Sequence, residues 1–146
     1  MVTNKVEQSG ILVLDLSEFI SIEPIEELCI EQFLDSNKIL REKAFRASLK
    51  EYDWMIYKNK NVCIIPASNS IVPYWAYMLL IKYISPLVKR VEIGDQSNML
   101  DCFINEGLSK INHEDYIDKR VVLKGCSARH INEKAYAKAT QRLIPV

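Results

Sequence analysis

The feature that most restricts what this chain can fold into is an internal repeat. Slid along itself by 59 residues without gaps, the sequence sets Lys60 on Lys119, Val62 on Val121 and Ser68 on Ser127. Ala76 falls on Ala135, Tyr77 on Tyr136 and Pro86 on Pro145, with Ile64/Leu123, Val72/Ile131 and Ile84/Leu143 as similar pairs between them. Each copy reads as a short apolar run, a small polar loop and a helix, so two related strand–loop–helix units are expected. The first copy continues into Val88–Ile93, a further strand, whereas the second stops at Val146, one residue after Pro145. The expectation is therefore a chain cut short by a strand.

The rest of the pattern extends this alternation. Ile11–Leu16 follows Gly10 as an apolar run suited to a strand. Pro24 opens a segment with Ile25, Leu28, Cys29 and Phe33 at helical spacing, and Arg41–Tyr57 carries Phe45, Leu49 and Tyr52 on one stripe, so both are expected as helices. Lys58–Asn61 is a polar turn and Val62–Ile65 a strand. A helix is expected from Val72 to Ile84, with Pro73 in its first turn, where a missing N–H costs nothing. Helices at 98–110 and 132–143 follow the strands Val88–Ile93 and Arg120–Lys124, with Asn132 as N-cap. Strands alternating with helices imply parallel βαβ crossovers. The fold class is α/β: a three-layer sandwich on a mainly parallel sheet, in a single domain. That domain comprises N-terminal strand and helices over 1–58 and the repeated units over 59–146.

Composition excludes some partners. Lysine and arginine balance aspartate and glutamate at 19 each, so no global field favours nucleic acid or an anionic membrane. The N-terminus lacks the apolar core of a signal peptide, and the four cysteines (Cys29, Cys63, Cys102, Cys126) form no CxxC pair. Reduced thiols and a cytoplasmic location are expected. The run Val72–Leu87 is broken by Lys82 and Pro86 and falls short of a membrane span. It reads as a buried helix.

In a parallel sheet, ligands bind beyond the carboxyl ends of the strands. Three loops qualify: Ala67–Ser70, Gly94–Asn98 and Gly125–His130. Ser68, Asn69, Ser70, Asp95, Gly125, Cys126 and Ser127 are the ligand-binding candidates, each loop leading into a helix N-terminus. Neither GxGxxG nor GxxxxGK[ST] occurs, and no cofactor is indicated. Cys126, near a helix start with Arg129 and His130 close by, is the sharpest candidate for a nucleophile, sulfur carrier or metal ligand. His130 would serve it as base or ligand. The plainer reading makes Cys126 a small residue at a strand end and His130 a solvent-exposed loop residue. Asp95 and the Ser68–Ser70 hydroxyls read equally as helix caps.

The stretches SGILVLDLSEF, ILREKAFRASLKEYDW, IVPYWAYMLL and DKRVVLKGCS resemble an uncharacterised bacterial family, the domain of unknown function numbered 2480. The resemblance covers most of the chain. It implies a continuation into another strand and a second Cys-Ser segment, and a cysteine in the first repeat's loop. Here that loop reads Ile65-Pro66-Ala67-Ser68, without a thiol. The resemblance also suggests an iron–sulfur setting. Two functions stay open: a thiol-centred accessory factor handling metal or sulfur through Cys126, and a non-catalytic module binding a small anion or partner protein at the same edge. Whether the chain is an enzyme is left open. The helix Pro73–Leu87, apolar nearly all round, suits a homodimer interface through Tyr74, Trp75 and Tyr83, or cover by the N-terminal helices.

Overall fold

Val62, Cys63 and Ile64 are wholly buried, as befits a strand covered on both faces, and they form the centre of one of two parallel sheets. A computed structural model of the protein describes residues 10–125 and 131–144. Among them, the strands are β1 (Ile11–Asp15), β2 (Ile25–Cys29), β3 (Asn61–Ile65), β4 (Arg90–Ile93) and β5 (Arg120–Lys124). The helices are α1 (Glu42–Glu51), α2 (Tyr74–Ile84), α3 (Gln96–Leu108) and α4 (Glu133–Leu143). All strand pairings are parallel, and the fold is α/β as expected.

The strands do not share one sheet. Among the described residues, β2, β3 and β4 form a three-stranded ladder in that order, and β1 pairs with β5 alone. The chain divides accordingly into two compact units. An inserted unit, Glu23–Met99, holds the three-stranded ladder; a split unit, Met1–Ile22 with Leu100–Val146, holds β1 and β5. Each has its own core. In the inserted unit Leu28, Ile30, Phe45, Leu49, Val62 and Leu80 are central. In the split unit Leu14, Leu16, Ile104, Leu108, Ala135 and Ala139 play that part.

The 59-residue repeat holds element by element and reaches further back than the sequence suggests. β3 and β5 have bounds 59 residues apart, as do α2 and α4, and the single 3-10 turns Trp54–Tyr57 and His113–Tyr116. Asn59 and Asp118 both sit at φ 59°, a left-handed conformation that asparagine and aspartate tolerate. Asp53 caps one turn by accepting from the Met55 amide, and Asn112 caps the other by accepting from the Glu114 amide. The strands β1 and β2 are related as well, at an offset of 14. Ile11/Ile25, Leu14/Leu28, Leu16/Ile30 and Phe19/Phe33 correspond, and Ile11 and Ile25 pair with Arg120 and Asn61, themselves counterparts. One copy of the unit is thus inserted into the other.

Three expectations need correction. Ile25–Phe33 is not a helix but β2 followed by a 3-10 turn. Leu28 and Ile30, two apart, are the buried positions, and pairing with β3 overrides the helical spacing of Ile25, Leu28 and Phe33. The Arg41–Tyr57 helix ends at Glu51. Phe45 and Leu49 are buried on it as expected, but Tyr52 turns out at φ −68°, ψ 138°. Tyr52 joins a ring cluster, edge-on to Trp54 at 4.8 Å and to Phe33 at 5.1 Å, so side-chain packing together with the Asp53 cap stops the helix. Pro73 stands at the N-cap of α2 rather than in its first turn. Asn132 caps α4 as expected, accepting from the Ala135 amide at 3.3 Å.

Candidate functional site

In the Ala67–Ser70 loop, the amides of Ala67 and Ser68 are already used. The Ser68 amide and hydroxyl both donate to Glu31 Oε1, at 3.1 and 3.2 Å, and the Ala67 amide donates to the Tyr77 hydroxyl at 3.3 Å. The Ser68 amide, with Lys38 beside it, holds the Glu31 carboxyl below its ordinary range against a smaller opposing effect of burial. Asn69 is exposed, and the Ser70 hydroxyl oxygen is buried without a partner among the described residues. Glu31 was not foreseen as the organiser of this loop, because it lies in the segment expected to be helical.

Asp95 is likewise committed. It accepts from the Ser97 amide at 3.0 Å and from the Ser97 hydroxyl, which is the main reason its carboxyl lies below the ordinary range. The Asp95 amide donates to Asn98 Oδ1 at 3.1 Å. Gly94 (φ +137°) permits this turn; a Cβ there would also overlap the Asn98 amide group. Asp95 therefore acts as a cap at the start of α3. Behind it, Cys63 donates its thiol proton to the Asp95 carbonyl at 3.3 Å, and burial pushes that thiol up. Cys63 is a core residue.

Gly125 belongs to the split unit, at the end of β5, and is buried. A Cβ on it would lie 2.7 Å from the Tyr136 hydroxyl and 2.9 Å from Ile131 Cγ2, so glycine lets the strand end pass close to the start of α4. Cys126, Ser127 and His130 lie outside the described residues, as does Arg129. Ser68 and Asp95 fall in one unit without sharing a hydrogen bond, and Gly125 falls in the other. Among the described residues no group of three or more His, Cys, Asp or Glu could hold a metal. Nor is any described helix long and apolar enough to cross a membrane.

The larger surface features lie on helices. Ile71, Tyr74 and Met78 are 97%, 87% and 70% exposed, an apolar strip along the start and outer side of α2. Beside it an open groove of about 400 Å³ runs between α1 and α2. Arg46 lies over the Trp75 ring at 5.1 Å, and Tyr83 stacks on Trp54 at 5.5 Å. The sequence signals both features faintly, since a helix apolar on nearly all sides has more apolar surface than one sheet can cover.

No curated protein and no solved structure matches the chain. A family model for proteins of unknown function, DUF2480, matches residues 1–146, and the chain belongs to that family.

Proposed function

We propose that the chain is a non-catalytic binding module that works through its surface, and that its first contact is with a second copy of itself through α2. The observation that carries this is the exposed strip of Ile71, Tyr74 and Met78. Large apolar side chains placed together on one helical face mark interaction surfaces more often than isolated ones do. The strip also suits two-fold symmetry. Tyr74 and Met78 lie about one turn apart on α2, so an antiparallel pair of α2 helices sets each Tyr74 against the other copy's Met78.

The small-anion reading is weaker, because the polar groups of Ser68 and Asp95 are spent on Glu31 and Ser97. The metal or sulfur reading rests on Cys126 alone, and a lone thiol supplies no mechanism. Sedimentation velocity over a wide concentration range tests self-association. The weight-average mass should approach twice the monomer's for the native chain and stay at the monomer's for Tyr74→Glu and Met78→Glu. A native chain that stays monomeric throughout, or variants that associate equally well, would refute the reading.

A further inference from the structure

The groove between α1 and α2 occurs twice, and in only one copy are the lining cations bound by the chain's own polar groups. In the split unit the counterpart groove, about 450 Å³, lies between α3 and α4, with Asn105, Ser109, Lys138, Gln141 and Arg142 in place of Arg46, Lys50, Leu79, Lys82 and Tyr83. There the cations are bound internally. Lys138 donates to Asn105 Oδ1, and Arg142 donates to the carbonyls of Ile111 and Ser109, the latter at 2.8 Å. In the inserted unit the corresponding floor is apolar, made by Leu79 and Tyr83. Arg46 is held by Glu42 at 3.2 Å, but Lys50 and Lys82 are exposed and have no carboxylate partner among the described residues.

We infer that the α1–α2 groove is the docking site for an acidic amphipathic helix of a partner protein. The copy in the inserted unit combines an apolar floor with two ammonium groups at its rim that no carboxylate among the described residues engages. An occupant must therefore place apolar side chains on Leu79 and Tyr83 and carboxylates beside Lys50 and Lys82. A second copy of the chain would bring the same positive rim and is disfavoured here. An extended strand is disfavoured too, because the groove lies between helices and offers no free backbone edge. From Leu79 to Tyr83 the groove follows about 6 Å of α2, one helical turn, which matches anchors at i and i+3 or i+4 on the partner. This surface adjoins the Ile71–Tyr74–Met78 strip but does not depend on it.

The test uses the full chain and an amidated peptide of about fifteen residues, long enough to form helix on docking, with leucine anchors flanked by glutamate. Binding is read by tryptophan fluorescence, since Trp75 lies under Arg46 and Trp54 under Tyr83. At low salt the peptide should bind about tenfold more tightly than its twin carrying lysine for each glutamate. The double variant Lys50→Glu, Lys82→Glu should invert that order. Met78→Glu should leave peptide binding intact even where it abolishes self-association, which separates this inference from the preceding reading. Absence of binding, equal binding of both peptides, or binding indifferent to the double variant overturns the proposal. So does displacement of the peptide by duplex DNA or phosphatidylglycerol vesicles that depend equally on Lys50 and Lys82.

Discussion

Replacing Gly107 with alanine should destabilise the split unit, although the residue sits in the middle of a helix. On helix propensity alone the change gains about 0.5–1 kcal/mol, because glycine is a poor helix former. The surroundings of Gly107 reverse the sign. A Cβ there would overlap the Phe19 carbonyl oxygen and lie 2.8 Å from Ile20 Cα and 2.9 Å from the Phe19 carbonyl carbon. All three are backbone atoms, so no rotamer change can relieve the contact and α3 or the Phe19–Ile20 segment must move. Overpacking of this kind costs about 1–3 kcal/mol, and a rigid neighbour puts the cost toward the upper end. The net loss should be about 1.5–2 kcal/mol. The counterpart residue, Ser48 on α1, is exposed, so Ser48→Ala should be neutral or slightly stabilising. Native-state hydrogen exchange at the Ile104 and Leu108 amides reads the effect. Gly107→Ala should speed exchange there by at least about tenfold. Unchanged or slower exchange would refute the close approach.

Other expectations are simpler. Asn132→Ala removes the cap on the Ala135 amide and should cost about 1 kcal/mol in urea unfolding; no loss would mean that the cap is not formed in solution. The depressed Glu31 carboxyl contributes stability that is present above its unfolded value and lost as pH falls through its folded one. The Ser68 amide resonance should accordingly titrate with a midpoint below 4.5 and lose that titration in Glu31→Gln; a midpoint at or above 4.5 contradicts the bond. Cys63 is buried with its thiol pushed up, whereas Cys29 and Cys102 are half-buried. Mass-spectrometric mapping of iodoacetamide labelling should find Cys63 the slowest of these three, and rapid native-state labelling at Cys63 would refute its placement.

What the sequence disclosed and what it concealed have physical causes. The second half was legible because Val62–Ile65 and Arg120–Lys124 are apolar runs followed by helices with recognisable starts, and the offset of 59 ties them together. Ile25–Phe33 misled because its apolar residues satisfy both periods; only β3, distant in sequence, selects the strand. A usable signal was present. Ile11, Leu14, Leu16 and Phe19 recur as Ile25, Leu28, Ile30 and Phe33, and Ile11–Leu16 reads as a strand. Of the ligand-binding candidates, Asp95 caps the start of α3 through Ser97, as the capping reading allowed, whereas Ser68 is a partner of Glu31 and does not cap α2. The helix surfaces remained hidden, because which side of α2 stays uncovered depends on how α1 packs beside it.

The two offsets, 14 for the first strand and 59 for everything after it, follow if a whole unit stands between the first strand of its twin and the remainder. An inserted unit of this kind contains every element it needs. Among the described residues, β2, β3 and β4 pair only with one another, and the buried residues of its core cluster all fall between Leu28 and Ile84. At more than the roughly 60 residues where lone domains become marginal, Glu23–Met99 is large enough to fold on a single core. Expressed alone, this segment should therefore give dispersed amide resonances and a cooperative urea transition by tryptophan fluorescence, since Trp54 and Trp75 both lie within it. Phe45→Ala in the same segment removes a fully buried ring that packs edge-on to Trp75 at 5.8 Å and to Phe33 at 6.2 Å. That change should cost about 3–5 kcal/mol, a large share of the total for a segment of ordinary stability, and should move the urea midpoint down accordingly. A fragment with collapsed resonances and no transition would show that the unit cannot close its core unaided, and the account of one unit inserted in another would then describe descent but not folding.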